Sequence, residues 1–390
     1  MMVNLGDVAS INPRLSDPLQ QTELVSFVPM ASLSAEEARV VSTETRAYSE
    51  VSKGYTPFRN GDVLVAKITP CFENGKIAQA HLPHPNGFGS TEFHVIRPKE
   101  SLLDGRYLHH LLRQADIRVE GERRMTGSGG QRRVPATFLS SLRIPLPRLE
   151  EQRRVAAILD QADALRAKRR KALALLDELQ RGIFIEMFGD PVTSPKGCTA
   201  GTLGDGIEEM QYGPRFHNEA YSPEGIRIVR ITDLDAAGSL DFDSMPRMEV
   251  DEETRDKFAL RAGDVVFART GATVGKVALI KERDPVCIAG AYFIRMRFQS
   301  RILPEYAFSV LQSESVQSLI FAQSRQAAQQ NFSGPGLRRL PMPVPSIERQ
   351  RRFAERVEAV GSEKSKQLSA LALLDELFSS LQHRAFRGEL

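Results

Sequence analysis

The segment Pro147-Arg148-Leu149-Glu150-Glu151-Gln152-Arg153-Arg154 returns as Pro345-Ser346-Ile347-Glu348-Arg349-Gln350-Arg351-Arg352, a shift of 198 positions. At that same shift Leu173-Ala174-Leu175-Leu176-Asp177-Glu178-Leu179 is repeated without change as Leu371-Ala372-Leu373-Leu374-Asp375-Glu376-Leu377, and Leu5-Gly6-Asp7 returns as Leu203-Gly204-Asp205. An internal repeat this long means that whatever one half folds into, the other half folds into as well. Between these anchors the halves diverge but keep their order. Gly61-Asp62-Val63-Leu64-Val65-Ala66-Lys67 answers to Gly263-Asp264-Val265-Val266-Phe267-Ala268-Arg269, Gly75-Lys76-Ile77-Ala78 to Gly275-Lys276-Val277-Ala278, and Tyr107-Leu108 to Tyr306-Ala307. Each half is therefore read as a divergent globular domain followed by one long, similar helix.

The globular parts read as mixed α/β. Asp264–Ala268 and Ala291–Phe298 are rich in β-branched and aromatic residues, and a glycine precedes the first of these strands in both halves. The helical signal is stronger. From Glu150 to Met187, apolar residues fall at Val155, Ile158, Ala162, Leu165, Ala172, Leu176, Leu179 and Ile183, spaced mostly by three and four, which is the seam of a helix that packs on another helix. The copy, Ile347 to Arg384, offers Phe353, Val357, Val360, Leu371, Leu374, Leu377 and Leu381. Prolines precede each helix, acidic residues open it, and Gly189-Asp190-Pro191 stops the first. A helix of that length measures roughly 57 Å at 1.5 Å per residue. The second domain begins where the first helix ends and the second helix begins where that domain ends. The two helices are thus expected to run antiparallel with a globular domain at each tip, a dumbbell with approximate twofold symmetry. Gly361 is expected to interrupt the second helix, at a cost of about 1 kcal/mol relative to alanine.

Composition narrows the chemistry. In 390 residues, 41% hydrophobic and 26% charged is a globular balance with enough apolar material for real cores. The N-terminus lacks a basic region followed by an apolar run, and no 18 apolar residues are consecutive, so the expected location is the cytoplasm, with no membrane contact. Cys71, Cys198 and Cys287 lie far apart, without a CxxC or a histidine-rich neighbourhood, and suggest neither disulfides nor a metal site. A net charge of +3 is only mildly basic, but Arg123-Arg124, Arg132-Arg133, Arg153-Arg154, Lys168-Arg169-Arg170-Lys171, Arg338-Arg339 and Arg351-Arg352 concentrate it locally. No catalytic residues and no cofactor are expected. Asn12-Pro13-Arg14-Leu15 lacks the second proline and the aromatic residue of an adenine methyltransferase tetrapeptide. Gly271 to Val277 is one residue short of a phosphate loop and has valine where a magnesium-binding hydroxyl is needed. Of the seven histidines only His81 and His84 approach ligand spacing, and a proline-rich surface loop accounts for them better than a metal.

Two divergent domains, each followed by a helix that opens with P-x-(L/I)-E-x-Q and carries LLDEL, resemble the specificity subunit of type I restriction-modification systems, and the resemblance covers essentially the whole chain. Glu348-Arg349-Gln350 departs from the more usual Glu-Glu-Gln. The fold implied is α+β: two mixed α/β target-recognition domains, residues 1–147 and 191–345, joined by spacer helices at 148–190 and 346–390 that form an antiparallel coiled coil. The resemblance also implies a non-catalytic subunit that recognises an asymmetric bipartite site on double-stranded DNA. Two methyltransferase subunits, and restriction subunits, would assemble on it. A helical-arm scaffold for other proteins, or an adaptor of another defence system, would show the same seams without needing basic loops.

Base edges favour Arg, Lys, Gln and Asn as readers, and phosphates favour Arg, Lys, Thr, Ser and backbone amides. The candidates in the first domain are Lys67, Thr69, Lys76, Arg123, Arg124, Gln131, Arg132 and Arg133, with the flexible run Thr126 to Gly130 able to carry its loop into a groove. In the second domain they are Arg215, Arg269, Thr270, Thr273, Lys276, Arg325, Gln330 and Asn331. A seam between only two helices leaves Leu159, Leu173, Leu175, Leu371 and Leu373 facing outward, which makes them candidates for docking the partner subunits.

Overall fold

The structure is a computed structural model that describes residues 1–15, 18–128, 130–216, 220–324 and 331–390. It divides into two compact units, Met1–Ala172 with Gln367–Leu390, and Leu173–Lys366.

In the first unit, Val63–Ala66 lies between Phe93–Pro98 and Ile77–Gln79 in a six-stranded sheet, and a four-stranded sheet carries Leu24–Val28 and Asn86–Gly89 as a parallel pair. The second unit repeats this frame. Val265–Ala268 lies between Phe293–Phe298 and Val277–Leu279, and Ile226–Val229 runs parallel to Cys287–Ala289 in a smaller sheet. Register is kept as well as order. Ala66 faces Phe93 and Val63 faces Ile96, as Ala268 faces Phe293 and Val265 faces Met296. The central strands, Val-Leu-Val-Ala and Val-Val-Phe-Ala, are buried at every position because both faces are covered. Val63, Val65 and Ile77 point into a core shared with the helix Gly105–Leu112 and with the first long helix, whereas Leu64, Ala78 and Val95 point into a second core under the other sheet. Val265, Phe267 and Val277, against Val266, Ala268 and Ala278, divide in the same way.

The Gly-Asp before each central strand is a turn with a built-in clamp. Gly61 (φ 91°) and Gly263 (φ 86°) occupy the left-handed region that favours glycine. Each aspartate then accepts a backbone N–H from the start of the turn, Arg59 to Asp62 at 2.7 Å and Arg261 to Asp264 at 2.9 Å. Each also takes a two-pronged ion pair from an arginine on the neighbouring strand, Arg97 or Arg297.

Both long helices form. They run Leu149–Phe188 and Ile347–Arg387, a few residues beyond the spans read from periodicity. Gly189, at φ 71°, follows the first and supplies the C-terminal stop. Gly361 does not break the second, which continues through it from Ile347 to Arg387. In the first unit Val155, Ala156, Leu159 and Ala162 share a core with Phe378 and Ala385 from the far end of the second helix, so the two segments pack antiparallel. In the second unit Phe353 and Val360 meet Ile183, Phe184 and Phe188. Polar contacts repeat too: Arg166 binds Asp375 in the first unit, and the equivalent Lys364 binds Asp177 in the second.

The glutamine of P-x-(L/I)-E-x-Q fixes each helix to its globular body. Gln152 is completely buried; its Oε1 accepts the Asp104 N–H at 2.8 Å and its Nε2 donates to Leu102 and Pro147 carbonyls, each at 2.9 Å. Gln350 does the same with the Leu303 N–H at 2.7 Å and the Arg301 and Pro345 carbonyls at 2.9 and 3.0 Å. The phenols of Tyr107 and Tyr306 close these joints by donating to the Pro145 and Pro343 carbonyls.

Candidate nucleic-acid interface

The central strand of each unit ends at a cation, Lys67 or Arg269, and the backbone there is tied to two other segments. The Lys67 N–H donates to the Glu92 carbonyl and its carbonyl accepts from Val134, both at 2.9 Å. The Arg269 N–H donates to the Tyr292 carbonyl at 2.9 Å and its carbonyl accepts from Phe332 at 2.8 Å. Positions 67, 92 and 133 thus correspond to 269, 292 and 331. Sequence reading selected the first and last of each set and missed Glu92 and Tyr292, which become visible once the two halves are aligned strand by strand.

In the first unit this edge is a cluster of compensated charge. Arg133 grips the Glu92 carboxylate at 2.8 to 3.2 Å, and its hydrogen bonds hold Glu92 below the usual carboxylate range. Arg132 reaches Glu73 at 3.1 Å, and Thr69 Oγ1 donates to the Gly130 carbonyl while accepting the Arg132 N–H. Thr126 and Arg133 pair across the loop, so the described part of the run Thr126 to Gly130 is closed by backbone bonds. Gln131 is exposed at its tip. Arg123 and Arg124 are exposed on a neighbouring helix end, where Arg124 pairs with Glu120.

The second unit presents an open groove of about 800 Å³ lined by Arg215, Tyr221, Arg230, Arg269, Tyr292 and Asn331, among others. Arg269 lies over the Tyr212 ring at 4.8 Å, and its Nε is buried without a hydrogen-bond partner. Thr270 pairs with Asn331 across the groove edge, and the Thr273 hydroxyl donates back to the Thr270 carbonyl. Arg325 and Gln330 lie outside the described residues.

Two groups of candidates take different places. Lys76 and Lys276, equivalent in the repeat, turn inward and donate to the Met30 and Leu234 carbonyls at 3.1 and 2.8 Å; they tie loops to the frame. Leu159 is fully buried in the first unit's core, since sheet, helix and the end of the second helix all close on it, which corrects the expectation that it faces outward. Leu173 and Leu371 are half-buried, whereas Leu175 is 53% and Leu373 67% exposed. Leu165 and Leu179, expected in the seam, are exposed as well. Gly271–Thr273 is a single 3-10 turn rather than the start of a helix that could cradle phosphate.

A family model described as "Type I restriction modification DNA specificity domain" matches residues 1–175 and 209–372. The type I restriction enzyme EcoAI specificity subunit of Escherichia coli is 41% identical over 152 residues, 39% of this chain. The EcoEI specificity subunit of the same organism is 40% identical over 154 residues. The chain spans about a quarter of the length of these two relatives, 26% of each. The MjaVIII specificity subunit of Methanocaldococcus jannaschii is 22% identical over 290 residues, covering 70% of this chain and 67% of that subunit. Among solved structures, a type I restriction-modification S subunit from M. genitalium shares the fold with a TM-score of 0.58 at 15% identity, over 99% of this chain and 96% of that one.

Proposed function

The chain belongs to the type I restriction-modification DNA specificity family, and from that premise we propose that it is the non-catalytic subunit that selects the DNA site for a modification and restriction complex. Residues 1–147 and 191–345 act as two target-recognition domains, each reading one half of a bipartite site on double-stranded DNA. The helices at 148–190 and 346–390 are the spacer. Two methyltransferase subunits, and restriction subunits, assemble with the chain in the cytoplasm, where the DNA is. Exposed Leu175 and Leu373 offer apolar contacts for that assembly.

One observation carries this reading: a single frame is built twice, and at the same strand end it displays Lys67 with Arg133 in one unit and Arg269 with Asn331 in the other. Two like scaffolds with unlike chemistry at one edge suit the reading of two unlike half-sites. Lys67→Ala should weaken recognition of one half-site and Arg269→Ala the other, by about 1 to 3 kcal/mol if the side chain reads a base. Mapping methylated sites in cells that express each variant with the methyltransferase subunits measures this. Equal loss on all sequences would mark phosphate contacts, and methylation by the isolated chain would refute the non-catalytic assignment. Binding should also fall steeply with salt as counterions are released.

A further inference from the structure

We propose that Glu92 is a specificity-determining residue, whose carboxylate accepts a hydrogen bond from the exocyclic amino group of a cytosine or adenine, and that Tyr292 holds the equivalent reading position in the second unit. This rests on the DNA-reading function proposed above.

The two units are alike where they are structural. The Asp62–Arg97 clamp has its copy in Asp264–Arg297, the Gln152 joint in Gln350, and the inward Lys76 in Lys276. At the strand end the backbone bonds are again the same, yet the middle position changes from an acid to a phenol. Nothing in the frame requires that change. Tyr292 is 59% exposed and lines the groove beside Arg269.

Glu92 is an unusual side chain to find among candidate DNA contacts, because a carboxylate beside phosphates is repelled. Its neighbours remove that objection: Lys67 and Arg133 both favour its charged form. The cluster Lys67, Glu92 and Arg133 therefore keeps net positive charge while holding one acceptor-only group at its centre. An ionised carboxylate can accept only from a donor. In the major groove the donors are cytosine N4 and adenine N6, whereas guanine O6 and thymine O4 are acceptors that it repels. Glu92 thus separates amino bases from keto bases. As a purely structural partner of Arg133 it would contribute little, since the two side chains keep 41% and 25% of their surface exposed.

The test uses the full chain with its methyltransferase subunits and a random-sequence library, with methylated sites read by sequencing. The wild type should show, in one half-site, a position restricted to cytosine or adenine. Glu92→Gln supplies an amide that can present either a donor or an acceptor. It should admit guanine or thymine there and erase a discrimination of about 5- to 150-fold. The other half-site should stay unchanged, which also reports that the variant is folded and assembled. Tyr292→Ala should alter only that other half-site. An unchanged base preference or a uniform loss in Glu92→Gln would overturn the inference, as would, should Glu92→Gln fail to assemble, wild-type half-sites in which no position is restricted to cytosine or adenine. A bipartite wild-type site with an unaltered Glu92→Gln site removes this inference alone. A wild type that methylates no bipartite site removes the proposed function and this inference with it.

Discussion

Replacing Gln152 with alanine would cut the joint between the first long helix and its globular body without touching any candidate DNA contact. The change deletes three hydrogen bonds, to the Asp104 N–H and to the Leu102 and Pro147 carbonyls, at a site fully closed to solvent. Each bond contributes about 1 kcal/mol net, and each abandoned group costs more if water cannot replace the amide. The loss should therefore be about 3 kcal/mol, rising to about 5 kcal/mol if the vacated space stays dry. Hydrogen exchange read at single residues reports this locally. The Asp104 amide should exchange about 150-fold faster, the equivalent of 3 kcal/mol, while the Leu303 amide in the other unit keeps its protection. Gln350→Ala should give the mirror result, with Leu303 exposed and Asp104 protected, because its bonds have nearly the same lengths. Glu at position 152 should not rescue. It keeps an acceptor for Asp104 but turns a second carboxylate oxygen toward two carbonyls. If Gln152→Ala left Asp104 protected within a factor of about three, about 0.6 kcal/mol, the joint would be held by packing alone and the reasoning would fail.

Three further outcomes can be checked on the same material. Asp264→Asn removes the charge that Arg297 grips from the strand alongside and should cost about 2 kcal/mol in denaturant melts; Glu209 as a second partner for Arg297 limits the loss. Leu175→Asp with Leu373→Asp should abolish co-elution with methyltransferase subunits while leaving circular dichroism unchanged, whereas Leu159→Asp should unfold the first unit. Burial, aided by nearby Arg113, holds His109 well below the ordinary imidazole range. The unfolded chain then takes up a proton that the folded chain refuses, so this residue's contribution falls by about 1.4 kcal/mol per pH unit below roughly 6.5. His109→Leu should flatten that slope, and an unchanged slope would assign it to other groups.

The repeat makes the frame legible, because shifts of 198 to 202 residues align positions that share register, clamp and joint. It was less informative about which face each residue takes. Leu165 and Leu179 fit a two-helix seam by spacing, yet they are exposed, since the long helices bury themselves partly against globular cores rather than only along each other. Leu159 is the converse, off the assumed seam and buried by the sheet side. Lysine at 76 and 276 is a candidate DNA contact by charge, and only the structure shows both side chains turned to loop carbonyls. The partners of Arg132 and Arg133 were not visible, because Glu73 and Glu92 come from other loops and meet them only through the fold. Glu92 carries no signal of its own in the sequence, because Lys67 and Arg133 meet it only through the fold.

The first unit includes Gln367–Leu390, which follows the whole of the second unit in sequence. Phe378 and Ala385 are buried beside Val155, Leu159 and Ala162, and the Leu390 carbonyl accepts from Arg154 at 2.6 Å. Synthesis runs from the N-terminus, so a ribosome has delivered every residue of the second unit before the first can close its core. The earlier-made half must wait, apolar helix face open, until the segment from Gln367 onward has been made. Any chain cut short before Phe378 therefore leaves the damage at the opposite end of the sequence from the break.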